Sequence, residues 1–231
     1  MGLSKGSVRQ EDLLRGEASG LVGIDEAGKG DYFGPLVVAA CYSDESVDAE
    51  FGRFGLRESK KVSDSRVFAL DRLIRKATRH SIVVVGPEKY NELHSKMRNL
   101  NRLLAWGHAR ALENLLADVN PLEVVADQFG DVRFIEKALM KKGKGVKLTQ
   151  RTKAEEIPAV AAASILARAE FLRRLKRLSE EYALELPKGA GQPVDEAAKR
   201  FVAARGREEL IKVAKVHFKN TKRILGFDTN P

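Results

Sequence analysis

Five short β-rich runs, separated by stretches of helical period, constrain this chain more than any other feature of its sequence. The runs are LVGID (21–25), LVVAACY (36–42), SIVVVG (81–86), LEVVAD (122–127) and VKLTQRT (146–152). Turn-forming Gly, Pro, Ser or Asp adjoin each of them, as strand ends require. Between them, residues 64–77 space Val67, Leu70, Leu73, Ile74 and Ala77 as a helix does, with Ser63 or Asp64 as N-cap. Residues 99–118 turn Leu100, Leu103, Leu104, Ala111, Leu112 and Leu115 to one face. Residues 132–142 suggest a shorter helix. The segment 158–178, opened by Pro158, tracks Ile165, Ala169, Leu172, Leu175 and Leu178. Three strands fall early and the later ones alternate with helices. That order predicts an α/β fold, a mixed five-stranded sheet with helices on both faces and a helical C-terminal extension over about 180–225. Residues 1–20 are expected to be a flexible polar lead-in, and 21–231 one domain.

At 231 residues, with 43% apolar and 32% charged side chains, the chain can bury a sizeable core and is not a disordered polymer. Its single Cys41 excludes an internal disulfide. No apolar run approaches the ~18 residues of a membrane span, and no signal-peptide pattern opens the chain, so a cytoplasmic protein is expected. The net charge is +9, unevenly spread. Residues 1–50 hold ten acids and four bases, whereas 137–153 hold seven Lys/Arg and no acid, and 199–223 nine Lys/Arg and two acids. Two basic stretches beside an acidic segment favour a polyanionic partner; basicity alone does not separate DNA, RNA and an anionic membrane.

Four carboxylate positions stand out by context. Asp25 and Glu26 end the first run before a Gly-rich turn, Asp127 ends the fourth, and Glu155, with Glu156 beside it, follows the fifth. Strand ends of an open α/β sheet converge on the ligand crevice. Crowded carboxylates repel one another unless a cation separates them, and all-oxygen donor sets select Mg²⁺ or Mn²⁺. Two such ions suit phosphodiester hydrolysis. Asp25 and Glu26 suit turn and cap roles equally well, so spacing supports this chemistry only weakly. Other chemistries fit worse. The four His and one Cys lack zinc spacing, no G-K-[ST] or G-x-S-x-G occurs, and GKGDYFG misses the dinucleotide fingerprint by one residue.

The run GIDEAGKGDYFGPLVVAA (23–40) resembles the opening motif of type 2 ribonucleases H. Its G-K-G followed by DYFGPL is more similar to the HIII type than to the HII type, which usually reads G-R-G. ESKKVSD (58–64), NLNRLLAWGHA (99–109), ADQFG (126–130), KAEEIPAVAAASILAR (153–168), LPKGA (186–190) and VAKVHFKNT (213–221) extend the resemblance, in order, over residues 21–225. It implies a ribonuclease H-like fold and two-metal cleavage of the RNA strand of RNA–DNA hybrids, leaving 3′-hydroxyl and 5′-phosphate ends. It implies metal carboxylates at Asp25, Glu26 and Asp127, a fourth catalytic carboxylate at Glu155, and Mg²⁺ or Mn²⁺ as cofactor. A Glu at the fourth position, where the HII type has Asp, fits the HIII type. The resemblance also implies nucleic-acid contacts from Gly28, Lys29 and Gly30 and, through phosphate, from Ser59 and Lys60 with Lys61. Trp106 is expected in the core; for His217, an approach to the nucleic acid or metals stays open beside a helix-surface or packing role. HIII-type members usually carry a small N-terminal substrate-binding domain. With about 20 residues before Leu21, this catalytic domain is expected to recruit hybrid through its basic stretches, with no obligate protein partner. Two alternatives remain open: HII-like excision of single ribonucleotides embedded in DNA, and a silent hybrid-binding module. The HII type uses a C-terminal tyrosine for that excision, and no Tyr follows Tyr182.

Overall fold

The structure, a computed structural model, describes residues 18–56, 62–127, 133–139 and 143–226. The expected lead-in lies almost wholly outside the described residues, as do Ser59, Lys60 and Lys61. Five strands form one sheet: β1 (Leu21–Ala27), β2 (Leu36–Ser43), β3 (His80–Val85), β4 (Glu123–Asp127) and β5 (Leu148–Arg151). Their order is β3-β2-β1-β4-β5. β1 pairs antiparallel with β2 and parallel with β4; β2–β3 is antiparallel and β4–β5 parallel. This is the mixed sheet expected from the order of the runs.

Nine helices are described: α1 (Glu45–Arg53), α2 (Asp64–Ala77), α3 (Pro87–Met97), α4 (Leu100–Leu115), α5 (Arg133–Ala138), α6 (Pro158–Glu181), α7 (Gln192–Arg205), α8 (Leu210–Val213) and α9 (Lys219–Leu225). Ser63 caps α2, accepting from Arg66 N–H. Two helices escaped the periodicity. In α1, Asp44 accepts from the N–H groups of Ser46 and Val47 and Glu45 and Asp48 lie in the first turn, so capping and dipole terms support a helix with only Val47 and Phe51 buried. In α3, Pro87 at the first helical position and a C-terminal Arg98 at φ 48° mark the ends.

Strand alternation divides the core in two. Val37, Ala39 and Cys41 face a cluster containing Ala162, Ala163, Leu166 and Ala167 of α6 and Val67, Leu70 and Ile74 of α2. Val22, Ile24, Val38 and Ala40 face the opposite cluster, with Ala105, Ala109 and Leu112 of α4. Trp106 packs against a third cluster of Leu36, Val85, Tyr90, Leu103 and Leu104, as expected of a core side chain. The C-terminal helices join the α6 side through Ala197, Phe201, Leu210 and Val213.

Between α2 and α6 sits a fully buried acid, Asp71. It accepts from Arg75 Nε at 2.9 Å and from Arg173 Nη2. Glu170 flanks both guanidinium groups, and Arg173 lies over the Phe68 ring at 5.5 Å. Removing one partner of a buried pair strands the other charges. Asp71→Ala is therefore expected to destabilise the protein by about 2–3 kcal/mol, discounted for the part-exposed arginines. An unchanged urea midpoint would contradict that role.

Candidate active site

The sheet register assembles the site. One step beyond the last β1–β4 pair, Ile24 with Ala126, the two parallel strands carry Asp25 and Asp127 side by side. Alternation puts Asp25 on the α6 face with Gly23, where the Ser164 hydroxyl bonds its carboxylate. Asp127 lies on the same face. Its Oδ1 accepts from Ala154 N–H at 3.3 Å, which ties it to the 3₁₀ turn Ala154–Glu156 that leads into α6. Within that turn Glu155 is half-buried and Glu156 exposed.

Glu26, one residue on, points to the opposite face. There it meets His108 of α4, whose Nε2 donates to Oε2 at 2.9 Å, and Lys29 Nζ at 3.3 Å from Oε1. The His108 side chain is fully buried and that of Glu26 nearly so. Among the described residues, no three of the Asp, Glu, His and Cys side chains stand close enough to grip one ion together. The cause is the pleat: adjacent strand residues face opposite sides, so Asp25 and Glu26 diverge as they leave β1.

The two carboxylates differ in charge preference. Burial, reinforced by the negative charge of Glu26, pushes Asp25 up to about 7; the Ser164 hydroxyl, the Glu26 N–H and His108 only partly oppose it. Glu26 is itself desolvated, but the hydrogen bond and charge of His108, with those of Lys29, hold it below the usual carboxylate range. The site thus has one carboxylate settled as an anion and a neighbour that ionises at a cost. A cation between strand ends removes that cost.

Gly28, Lys29 and Gly30 follow β1 in a turn closed by Asp31 N–H to Gly28 O at 3.3 Å. Gly28 has φ +85°, and a Cβ there would lie 2.2 Å from Pro35 O, so glycine is required. Gly30 is exposed, with nothing near the place of a Cβ. The segment beyond the undescribed Ser59 and Lys60 begins at Val62, whose carbonyl accepts from Arg168 Nη2 at 3.1 Å. Lys188 and Arg168 both pair with Asp64. Two surface cavities, of about 520 and 690 Å³, lie elsewhere: one beside Pro35, Pro87 and Arg177, the other beside Gly20, Asp44 and Leu122.

The basic C-terminal stretch is partly internal. Lys215 is fully buried, Arg223 is spent on Asp195, and Lys212 on Glu209. His217 is exposed and stacks on His94 at 4.0 Å. Sequence reasoning missed His108, Ser164 and Lys215. A histidine at position 108, between Leu104 and Leu112 on the apolar face of a helix, was the one available signal. Among the described residues no helix is long and apolar enough to cross a membrane.

Residues 22–221 match the sequence profile of ribonuclease HII. Ribonuclease HIII of Protochlamydia amoebophila is 42% identical over 205 residues, covering 89% of this chain and 68% of that protein. Ribonuclease HIII of Chlamydia pneumoniae is 41% identical over 206 residues, covering 88% and 69%. The solved structure of Bst-RNase HIII in complex with Mn²⁺ superposes with a TM-score of 0.83 at 36% identity, covering 90% of this chain and 70% of that one. With the family profile, the relatives and the fold in agreement, the chain belongs to the ribonuclease HII family of endoribonucleases, on the HIII side of it.

Proposed function

We propose that this protein hydrolyses the RNA strand of RNA–DNA hybrids at a site built on Asp25, Glu26, Asp127 and Glu155. The observation that carries this reading is Asp25, pushed up to about 7 beside the anionic Glu26 and level with Asp127. An all-oxygen donor set with surplus negative charge fits Mg²⁺ or Mn²⁺; Asp25 and Asp127 would hold it on the α6 face, and Glu26 would join them by turning from His108 and Lys29. When bound, two such ions supply an activated water and neutralise charge on the attacking and leaving oxygens. The half-burial of Glu155, against the exposure of Glu156, favours Glu155 as the fourth carboxylate.

The chain's own residues set the geometry. His108 orients Glu26, Ser164 orients Asp25, and the Ala154 N–H orients Asp127. The Gly28–Gly30 turn, buried at Gly28 and exposed at Gly30, offers the Gly30 backbone to the wide minor groove of an A-like duplex, where the 2′-hydroxyls distinguish RNA from DNA. Lys29 shares its charge with Glu26, so its first effect is on that carboxylate. Cleavage leaves 3′-hydroxyl and 5′-phosphate ends.

The test compares three substrates with Mg²⁺ or Mn²⁺: a hybrid with an all-RNA strand, a DNA duplex with one embedded ribonucleotide, and a DNA duplex. Cleavage of the hybrid at least about 100-fold above the other two is expected, a gap of about 2.7 kcal/mol. Preference for the single ribonucleotide would move the assignment to HII-like excision. Binding without cleavage of any would leave a silent hybrid-binding module.

A further inference from the structure

Lys215 is the only lysine among the fully buried side chains of the described residues, and nothing in the carboxylate site uses it. Its Nζ lies 2.8 Å from Asp31 O, 2.7 Å from Gly34 O and 3.5 Å from Phe33 O. An ammonium has three donors, and the three carbonyls belong to the stretch that follows Gly28, Lys29 and Gly30. The same stretch is bonded along its backbone: Lys215 N–H to Tyr32 O, Gly34 N–H to Val213 O and Tyr32 N–H to Gly189 O, each 2.8 Å. Tyr32 Oη meets Thr221 Oγ1 at 3.0 Å, and Gly189 N–H donates to Asp31 Oδ1 at 2.6 Å.

The lysine is anchored in turn. Asn91 of α3 donates to the carbonyls of Ile211 and Ala214 and accepts from Val216 N–H, gripping the backbone on both sides of residue 215. Its Nζ also lies 5.6 Å from the centre of the Tyr90 ring. Burying this charge is costly: desolvation pushes Lys215 down to about 7, with the Asp31 carboxylate opposing. A leucine or methionine would fill the same space without that cost, so packing alone does not explain a lysine here.

We propose that Lys215 is a positioning residue for substrate recognition: its buried ammonium gathers the Asp31, Phe33 and Gly34 carbonyls and thereby fixes the glycine turn that meets the ribose hydroxyls. The inference rests on the hybrid-cleavage reading above. It makes recognition of the RNA strand depend on a residue some 180 positions away in sequence, which touches no substrate itself.

The experiment is a cycle between enzyme and substrate. Wild type and Lys215→Met are assayed on an RNA–DNA hybrid and on a copy with 2′-deoxyribose at the nucleotides flanking the scissile phosphate. For wild type, KM is expected to rise about tenfold on the deoxy-substituted copy, the size of one lost hydrogen-bonded contact. For Lys215→Met, KM on the all-RNA strand rises about tenfold, and the further penalty for the missing hydroxyls shrinks towards none. A merely structural lysine would lower the melting temperature and kcat yet leave the hydroxyl penalty intact; that result overturns the role of Lys215 and spares the functional reading. A wild type that ignores the missing hydroxyls, or leaves the hybrid uncut, overturns that reading itself. Should Lys215→Met not fold, Lys215→Gln, which keeps two N–H donors without the charge, carries the same measurement. If neither folds, the residue serves the fold alone and the proposal fails.

Discussion

Asp25→Asn is expected to reduce hybrid cleavage by at least about 10³-fold while making the metal-free protein more stable. Activity falls because the amide keeps the shape but removes the anion that a cation on β1 and β4 needs; about 4 kcal/mol of transition-state stabilisation is at stake. Stability rises for the reason that makes the site reactive. The folded state holds Asp25 near 7, whereas the unfolded chain releases that proton near 3.8. Between those values the folded protein binds more protons than the unfolded one, so wild-type stability declines as pH rises from about 4 to 7. Asparagine has no such term. Its advantage in EDTA is therefore full above pH 7 and vanishes towards pH 4, at about 1–2 kcal/mol after allowance for partial exposure. Urea unfolding of both proteins at pH 4.5 and 8, with a cleavage assay in Mn²⁺, measures both halves. Equal stability at pH 8 would mean that Asp25 bears no ionisation cost, and near-wild-type turnover would remove it from the site.

Which parts of this were readable from residues alone follows from the range of each interaction. The strands are local patterns of β-branched residues, and α2, α4 and α6 repeat an apolar face; those elements were legible. α3 was not, because PEKYNELHSKM buries little beyond Pro87 and Tyr90 and is defined by its ends. Asp25, Glu26 and Asp127 were legible as strand-end acids. Their division between two faces is a consequence of the pleat that becomes visible only with the register. His108, Ser164 and Lys215 act across 82, 139 and 181 to 184 residues of chain, and no local pattern reports such contacts. The charge count of residues 199–223 misled in a related way. It weighs Lys215 inside the protein and Arg223 on Asp195 the same as an exposed lysine.

Gly23→Ala is expected to damage both stability and activity through a single added methyl group. Gly23 lies in the middle of β1, facing α6, where a Cβ would come within 2.2 Å of Val160 N, 2.3 Å of Ala159 C and 2.6 Å of Ala159 O. All three atoms are backbone in the first turn of α6, so no side chain can swing away to make room. The helix start has little freedom to retreat, because Val160 is fully buried against Val125 and Ala154. Forcing it outward moves the Ala154–Glu156 turn, on which the hydrogen bond to Asp127 depends, and carries Glu155 and Ser164 with it. Overpacking of this kind costs about 3 kcal/mol, and a displacement near 1 Å at a reacting centre costs about 100-fold in rate. Both effects should appear together, as a lowered urea midpoint and as reduced kcat in the fraction that remains folded. Gly30→Ala supplies the contrast, since the space around that Cβ is open. Its stability should stay within about 0.5 kcal/mol of wild type, and any effect it has should fall on KM for the hybrid. Gly23→Ala with wild-type stability and kcat would show that α6 can yield at this contact, and that the placement of Glu155 and Ser164 does not depend on the missing side chain of β1.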